Sequence, residues 1–382
     1  MTPAARIAAA IDILDAVLAG QPAEAALINW GRASRFAGSK DRAAVRDHVY
    51  DGLRRRRSAA ALGGAETGRG IMLGVLRSQG ADIETIFTGQ GHAPAVLSPA
   101  DTGRDPVGAE AVDWPEWLWP HLVAGWGEDA AAIAAAQQDR APVFVRVNIA
   151  RTTREAVVAS LADEGNAAVP HPVATALKIT DNARKLQTSI AYDAGWIEMQ
   201  DASSQAAIAA LDVTKGQTVL DYCAGGGGKS LALAALGARV TAHDADPRRM
   251  KDIEPRAQRA KTRIEILSKV PGGRLFDLVF CDAPCSGSGT WRRTPDAKWK
   301  FDAKRLSDLT AIQGQILDNV VGSVAIGGRL AYATCSVLPQ ENQQVVEGFV
   351  ARHSGWSVVK TLSLRPGEDG DGFYLAILEH NP

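Results

Sequence analysis

The 382-residue sequence has four cysteines, at positions 223, 281, 285 and 335, and no two of them form a C-x-x-C pair. That spacing excludes a disulfide framework, speaks against a zinc site and points to a reducing compartment. Apolar runs stay short of the ~20 residues that a membrane span needs. Asp12 and Asp15 interrupt the apolar N-terminal stretch, which argues against a signal peptide. A cytoplasmic protein is therefore expected. Net charge is nearly absent as well, at -1. A formal average of that kind hides patches, because residues 1–60 carry ten Arg and Lys against six acids. Internal repeats and low-complexity tails are missing too.

Charged residues (22%) and apolar residues (46%) stand in ordinary globular proportion, and the length accommodates two or three domains. Helical spacing dominates the start, with one stripe at Ile7, Ile11, Leu14, Val17 and Leu18 and another at Val45, Val49 and Leu53. The second stripe ends in Arg54, Arg55, Arg56 and Arg57. Four consecutive arginines spread around a helix, and the expectation is a basic knob for phosphates. A Gly-rich break follows at 62–70, an aperiodic loop at 89–115, and an Ala-rich helix up to Gln138. Residues 141–200 read as a small α+β unit, with a strand from Val143, a helix over 153–164 and a strand near 176–179.

After residue 200 strands and helices alternate. Strands are predicted at 217–223, 238–243, 263–268, 276–282, 328–335, 356–364 and 372–380, with helices at 201–211, 228–237, 247–261, 302–326 and 340–353. Such alternation implies a mostly parallel sheet covered on both faces, with ligands at the carboxyl ends of its strands.

Thr218–Lys229 reads as strand, glycine loop and helix start, an arrangement that lets backbone approach a ligand closely. The next strand ends in Asp244, placed for ribose hydroxyls. Neither G-x-G-x-x-G nor a complete P-loop is spelled, since the first glycine of the latter is missing. Asp221 at the strand end would repel a triphosphate. A nucleoside with a cationic sulfonium, S-adenosylmethionine, fits this loop better than NAD, the second choice.

Asp282-Ala-Pro-Cys-Ser-Gly-Ser-Gly-Thr and Tyr332-Ala-Thr-Cys-Ser-Val-Leu-Pro each continue an apolar run into a turn that holds a cysteine. Cys223 and Cys281 lie in or at the edge of strands and read as small apolar residues. Cys285 and Cys335 have polar neighbours in turns. Methylating the electron-poor C5 of cytosine requires covalent help: a thiolate that adds to C6 makes C5 nucleophilic, and an acid near N3 assists. Asp282, Cys285 and Cys335, at the ends of two strands expected to be neighbours, supply those groups.

These segments carry a resemblance. Asp282–Thr290 with Arg292, Arg293, Pro295-Asp296 and Lys298-Trp299, and Tyr332–Asn342, resemble the two signatures of the RsmB/Nop/Sun family of RNA 5-methylcytosine methyltransferases. Met199–Gln205 and the glycine loop are similar as well, and the resemblance covers 141–382. It implies an α/β, Rossmann-like methyltransferase fold with a mostly parallel seven-stranded sheet. It implies Cys335 as nucleophile and Cys285 as the residue that assists product release, the reverse of DNA cytosine methyltransferases, with Asp282 and Lys229 in the catalytic set. It also implies S-adenosylmethionine held by Cys223, Ala224, Gly225, Gly226, Gly227, Gly228, Lys229, Asp244 and Asp282, with no metal and no membrane. The N-terminal part, best at Asp41–Arg54, is similar to the NusB-like helical RNA-binding domain of bacterial members, which implies RNA, in particular 16S ribosomal RNA, as partner. The implied domains are 1–138 (helical), 139–200 (α+β) and 201–382 (methyltransferase).

This sequence departs from the family at Gly226, where proline is usual, and after the third strand of the sheet, where an acid near the adenine is missing. Arg292, Arg293, Lys298 and Lys300, just beyond the cysteine loop, are expected to hold the RNA backbone. Two rivals remain: a non-catalytic RNA-binding assembly factor, and a base-amine methyltransferase, whose loop would read Pro-Pro-aromatic instead of Ala-Pro-Cys.

Overall fold

The computed structural model describes residues 1–380. The chain divides into two compact units. One comprises Met1–Arg140 with Trp291–Phe301, the other Ala141–Thr290 with Asp302–Pro382.

The first unit is helical: Pro3–Leu18, Ala23–Ala33, Ser39–Arg54, Arg56–Gly63, Gly68–Ser78, Ile83–Ile86, Trp119–Trp126 and Asp129–Ala135, together with Pro295–Lys300. The two apolar stripes meet, since Ile7, Leu14 and Val17 share one core with Val45, Val49, Leu53 and Ile71. The expected single Ala-rich helix before Gln138 is two helices, because Gly127 turns the chain at φ +52. Residues 89–115 contain only two short 3-10 turns.

The basic knob is not a surface knob. Arg54 is buried and donates from Nε to the Arg292 carbonyl at 2.8 Å. Arg55 pairs with Asp139 at 2.6 Å, Arg56 with Glu66 at 2.7 Å and Arg57 with Glu116 at 2.8 Å. Asp113, wholly buried, accepts from the Arg57 and Ser58 backbone N–H groups at 2.8 and 2.9 Å. It thereby caps the first turn of Arg56–Gly63 from a distant part of the chain.

Segment 291–301 belongs to this same unit. Trp291 stacks against Trp114 (5.2 Å) and Phe301 (5.7 Å), and Trp299 Nε1 donates to the Leu53 carbonyl at 2.7 Å. Two of the four cations expected on the RNA backbone are consequently enclosed. Arg292 is 3% exposed, and Lys298, at 1%, donates to the Asp113 carbonyl at 2.7 Å. Burial, offset in part by Asp113, lowers Lys298 to about 8. Arg293 and Lys300 stay exposed.

The second unit holds two sheets. The smaller runs β2-β3-β1-β4, antiparallel throughout, from β1 Val143–Val147, β2 Ala167–Pro170, β3 Ala176–Asp181 and β4 Ile197–Met199. Val145, Val147 and Leu177 pack with Val157 and Leu161 of helix Arg154–Asp163.

The larger sheet comprises β5 Thr218–Asp221, β6 Arg239–His243, β7 Glu265–Leu267, β8 Phe276–Asp282, β9 Val324–Thr334, β10 Trp356–Leu364 and β11 Phe373–His380. Its order is β10-β11-β9-β8-β5-β6-β7, parallel from β9 to β7, with β11 and β10 antiparallel at one side. All seven predicted strands are present, and the two-face burial of Val219, Leu220, Leu278, Val279, Phe280, Leu330 and Ala331 is what a covered parallel sheet requires. The helix expected over 247–261 is shorter, Ile253–Arg259 after a 3-10 turn.

The chain reverses direction across the sheet between β5 and β8: β6 and β7 lie on one side of β5, β8 and β9 on the other. Ligand crevices open at such a switch point, beyond the carboxyl ends of the strands. Among the described residues no helix is long and apolar enough to cross a membrane.

Candidate active site

β5 delivers the glycine loop. Gly225 and Gly227 adopt φ +49 and +80, and a Cβ on Gly227 would lie 2.8 Å from Ile253 Cγ1, so both conformation and space call for glycine there. Gly226 has an ordinary φ and only the Arg256 guanidinium near its Cβ position, at 3.3 Å. Arg256 donates to the Gly226 carbonyl and pairs with the buried Glu198 of β4 at 2.9 Å; Glu198 also takes Arg259. Where the usual proline would stiffen the loop, this chain clamps it from the side with an arginine.

Asp244, two per cent exposed at the end of β6, braces the same loop, accepting from Gly225 N at 2.9 Å and Asp246 N at 3.0 Å and pairing with Arg249 at 3.1 Å. Asp221 ends β5. Ser230 donates to its Oδ2 at 2.6 Å, while its buried Oδ1 has no hydrogen-bond partner. Burial lifts this carboxyl to about 7; the Ser230 bond works against the rise and the Asp282 charge adds to it. Cys223 and Cys281, both pushed up first by burial, are unfit as nucleophiles.

β8 and β9 are parallel neighbours in register, Asp282 opposite Ala333, so the two cysteine turns leave the same sheet edge side by side. Cys285 Sγ and Cys335 Sγ stand 3.4 Å apart, hydrogen-bonded to each other as free thiols with no disulfide. From the first turn of helix Gly228–Ala235, Lys229 reaches Asp282 Oδ2 at 2.6 Å. Burial works against the Lys229 charge, but Asp282 and Cys335 prevail and hold it above its ordinary value. Gly289 is pressed into the chain at Gly372, where a Cβ would lie 2.3 Å from the Gly372 carbonyl oxygen; this closes the Ser-Gly-Ser-Gly loop against the sheet.

Asp282, Cys285, Cys335 and Lys229 are thus brought together, beside a glycine loop made of Cys223–Gly228 and braced by Asp244. Absent from the sequence-based set is Glu341. It is fully buried and accepts from Ser286 N at 2.7 Å, Ser336 Oγ at 2.6 Å, Gln313 Nε2 at 3.1 Å and the Ser286 hydroxyl. Its signal was its place in the second signature. Among the described residues no cluster of three or more His, Cys, Asp or Glu is placed to hold a metal ion.

The family described as 16S rRNA methyltransferase RsmB/F matches residues 208–379, the larger sheet but for its last residue, and the RsmF/B-like ferredoxin-like domain matches 114–184. The chain belongs to the RsmB/F family. Curated members named ribosomal RNA small subunit methyltransferase B include one from Erwinia tasmaniensis, 36% identical over 69% of this chain and 66% of its own length. Another, from Pectobacterium carotovorum, is 35% identical over 70% and 66%. The chain thus matches just under two thirds of the length of these RsmB/F relatives. Among solved structures, PH0851 is similar over 99% of both chains at 22% identity, with a TM-score of 0.78. A methyltransferase homolog protein from Pyrococcus horikoshii matches 72% of this chain and 97% of its own at 22% identity, TM-score 0.62. These structural likenesses show a shared fold.

Proposed function

We propose that this chain transfers a methyl group from S-adenosylmethionine to C5 of a cytosine in RNA, with 16S ribosomal RNA as substrate and a covalent Cys–C6 adduct as intermediate. The observation that carries the reading is the pair of thiols 3.4 Å apart, beside Asp282 at the end of β8 and its partner Lys229 in the first turn of helix Gly228–Ala235.

The residues at the glycine loop suit the cofactor. Gly225 and Gly227 leave room for close backbone approach, the orphaned Asp221 oxygen offers an acceptor, and Asp244 stands at the ribose position of such folds. When bound, S-adenosylmethionine supplies an electrophilic methyl group on a sulfonium. Cys335 adds to C6 of the cytosine. The Asp282–Lys229 pair presents a hydrogen-bond donor and acceptor to N3 and the exocyclic amine, which offsets charge building on the ring. Once C5 carries the methyl group, Cys335 is an uncharged thioether and no longer raises its neighbour; Cys285, at 3.4 Å, gives its thiol proton to solvent and, as thiolate, takes the C5 proton. The C5–C6 double bond re-forms and Cys335 leaves as thiolate. The target base must leave any stack to reach the thiols, which favours an unpaired nucleotide.

Among cells with and without this protein, bisulfite sequencing of ribosomal RNA identifies a cytosine whose protection depends on it. Identical maps would contradict the assignment. A non-catalytic assembly role predicts identical maps together with altered small-subunit assembly.

A further inference from the structure

Two thiols 3.4 Å apart, in turns of similar make-up, pose a question that the proposed reaction leaves open: what makes one of them the nucleophile? The two are alike in position, since each follows a strand end by one to three residues and each precedes a serine. Their charged surroundings differ.

Glu341 sits under both turns. Its Oε1 takes the Ser286 backbone N–H, next to Cys285, at 2.7 Å, and the Gln313 amide at 3.1 Å. Its Oε2 takes the hydroxyls of Ser286 and Ser336. Gln313, on helix Ala303–Val320, also donates to the Pro284 carbonyl at 2.9 Å, so the residue before Cys285 is tied into the same network. Thr334, on the other side, is fixed by Asn342 at 2.5 Å, and Tyr332 donates to the Glu341 carbonyl. Among the described residues no lysine, arginine or histidine bonds to the Glu341 carboxylate. The carboxyl is buried and held by neutral donors, and burying such a group without a cation is expensive unless it serves a purpose.

The titratable groups facing Cys285 are Cys335, Glu341 and Tyr332. The charged group facing Cys335 is Lys229, itself paired with Asp282 and near Asp221. A carboxylate thus stands by one thiol and an ammonium by the other.

Resting on the reading that Cys335 attacks and Cys285 resolves, we propose that Glu341 is the positioning residue that divides their labour. Its carboxylate locks the two turns at a fixed spacing and stands against the backbone next to Cys285, while the Lys229 ammonium faces Cys335. The direction of the Cys285 shift agrees: the bond to Cys335 raises it first, burial next, and the Glu341 charge adds to both.

Glu341→Gln tests this cleanly. Its amide oxygen still accepts from Ser286 N and Gln313, and its NH2 donates to the two serine hydroxyls, so the clamp persists without its charge. The measurement is iodoacetamide alkylation of the full chain as a function of pH, with the Cys285 and Cys335 peptides quantified separately by mass spectrometry. In Glu341→Gln the Cys285 rate at neutral pH rises about tenfold, the change in thiolate fraction for one pKa unit, while Cys335 changes less than about twofold. Ser286→Ala, which loosens the clamp but keeps the charge, leaves the Cys285 profile in place and lowers kcat with KM for RNA unchanged. An unmoved Cys285 profile in Glu341→Gln, or equal shifts of both cysteines, overturns the proposal.

Should Glu341→Gln fail to unfold cooperatively, Lys229→Gln reads the same asymmetry from the other side: Cys335 alkylation falls about tenfold and Cys285 holds. Equal effects on the two thiols overturn it there as well. Neither RNA nor cofactor enters these titrations, so their outcome is independent of whether the chain methylates RNA.

Discussion

The helical unit and the edge of the large sheet both concentrate charge, and they treat it in opposite ways. In the first, every arginine of the 54–57 run finds an acid or a carbonyl inside its own unit, and Lys298 is enclosed by backbone carbonyls and the Trp299 ring. In the second, among the described residues, Asp221 keeps a buried oxygen without a partner and Glu341 has no cation on its carboxylate. Charges spent on internal ties hold a fold together. Charges left short of partners raise the free energy of the apo state and are available to a ligand or a reacting atom. The number of charged residues does not separate the two cases; the partners do.

The largest expected break in this comparison is in the helical unit. Asp113→Ala orphans two backbone N–H groups of helix Arg56–Gly63 together with the Ser58 and Gln138 donors. At about 1–3 kcal/mol for a buried donor left unmade, the loss is about 3 kcal/mol or more. Denaturant unfolding checks it, and a change below about 1 kcal/mol would show that the remote cap does not hold this helix.

Next comes the cofactor loop. Asp244→Ala removes the brace on Gly225 and the proposed ribose contact, and lowers S-adenosylmethionine affinity by about tenfold to a hundredfold. Isothermal titration calorimetry measures it directly. Unchanged affinity would move the ribose contact elsewhere.

Stability against pH sharpens the contrast between the two buried charges. Asp221 at about 7 lies above its ordinary 3.8, so the folded state binds the extra proton; this contribution is complete below 3.8 and is lost as pH rises through 7. The Tm of Asp221→Asn relative to wild type therefore climbs across that window. Lys298 at about 8 lies below its ordinary 10.5, so its contribution is present above 10.5 and is lost as pH falls through 8. The Tm of wild type relative to Lys298→Met therefore climbs in the alkaline window instead. A flat difference in either window would remove that group from the comparison.

The smallest effect is expected from Arg55→Gln with Arg56→Gln. Both arginines are engaged at the partly exposed ends of ion pairs, worth about 0–1 kcal/mol each. The log–log salt slope of RNA binding should change by less than the about 0.7 that one phosphate contact contributes. A drop of two such contacts would restore the phosphate knob that the sequence suggested.

Much of the sheet and of the reacting groups was legible in the sequence. Each large-sheet strand is a continuous apolar run bounded by turn residues, and both cysteine turns begin where such a run stops, which put Cys285 and Cys335 at one sheet edge before any coordinates. The arginine run misled because its partners Glu66, Glu116 and Asp139 lie 10, 59 and 84 positions away, and pairing at that separation has no local signature. Arg292 and Lys298 misled for the same reason: Trp291, Trp299 and Phe301 pull their segment into the helical unit. Gly226 stands where proline is usual, and the Arg256–Glu198 pair that steadies its loop joins two elements 58 residues apart. Glu341 was not singled out in the sequence, because only the meeting of two loops makes it a buried clamp.

The division of work between the two cysteines is the central claim, and one denaturing gel tests it most directly. Labelled RNA is incubated with S-adenosylmethionine and the wild-type, Cys285→Ala or Cys335→Ala protein, then separated after denaturation. Cys285→Ala should accumulate a protein–RNA band that survives the gel, because the adduct forms and cannot resolve. Cys335→Ala should give no band and reduce methyl transfer by at least about 1000-fold, as loss of a nucleophile does. A stable band with Cys335→Ala, and none with Cys285→Ala, would contradict the account and reverse the roles.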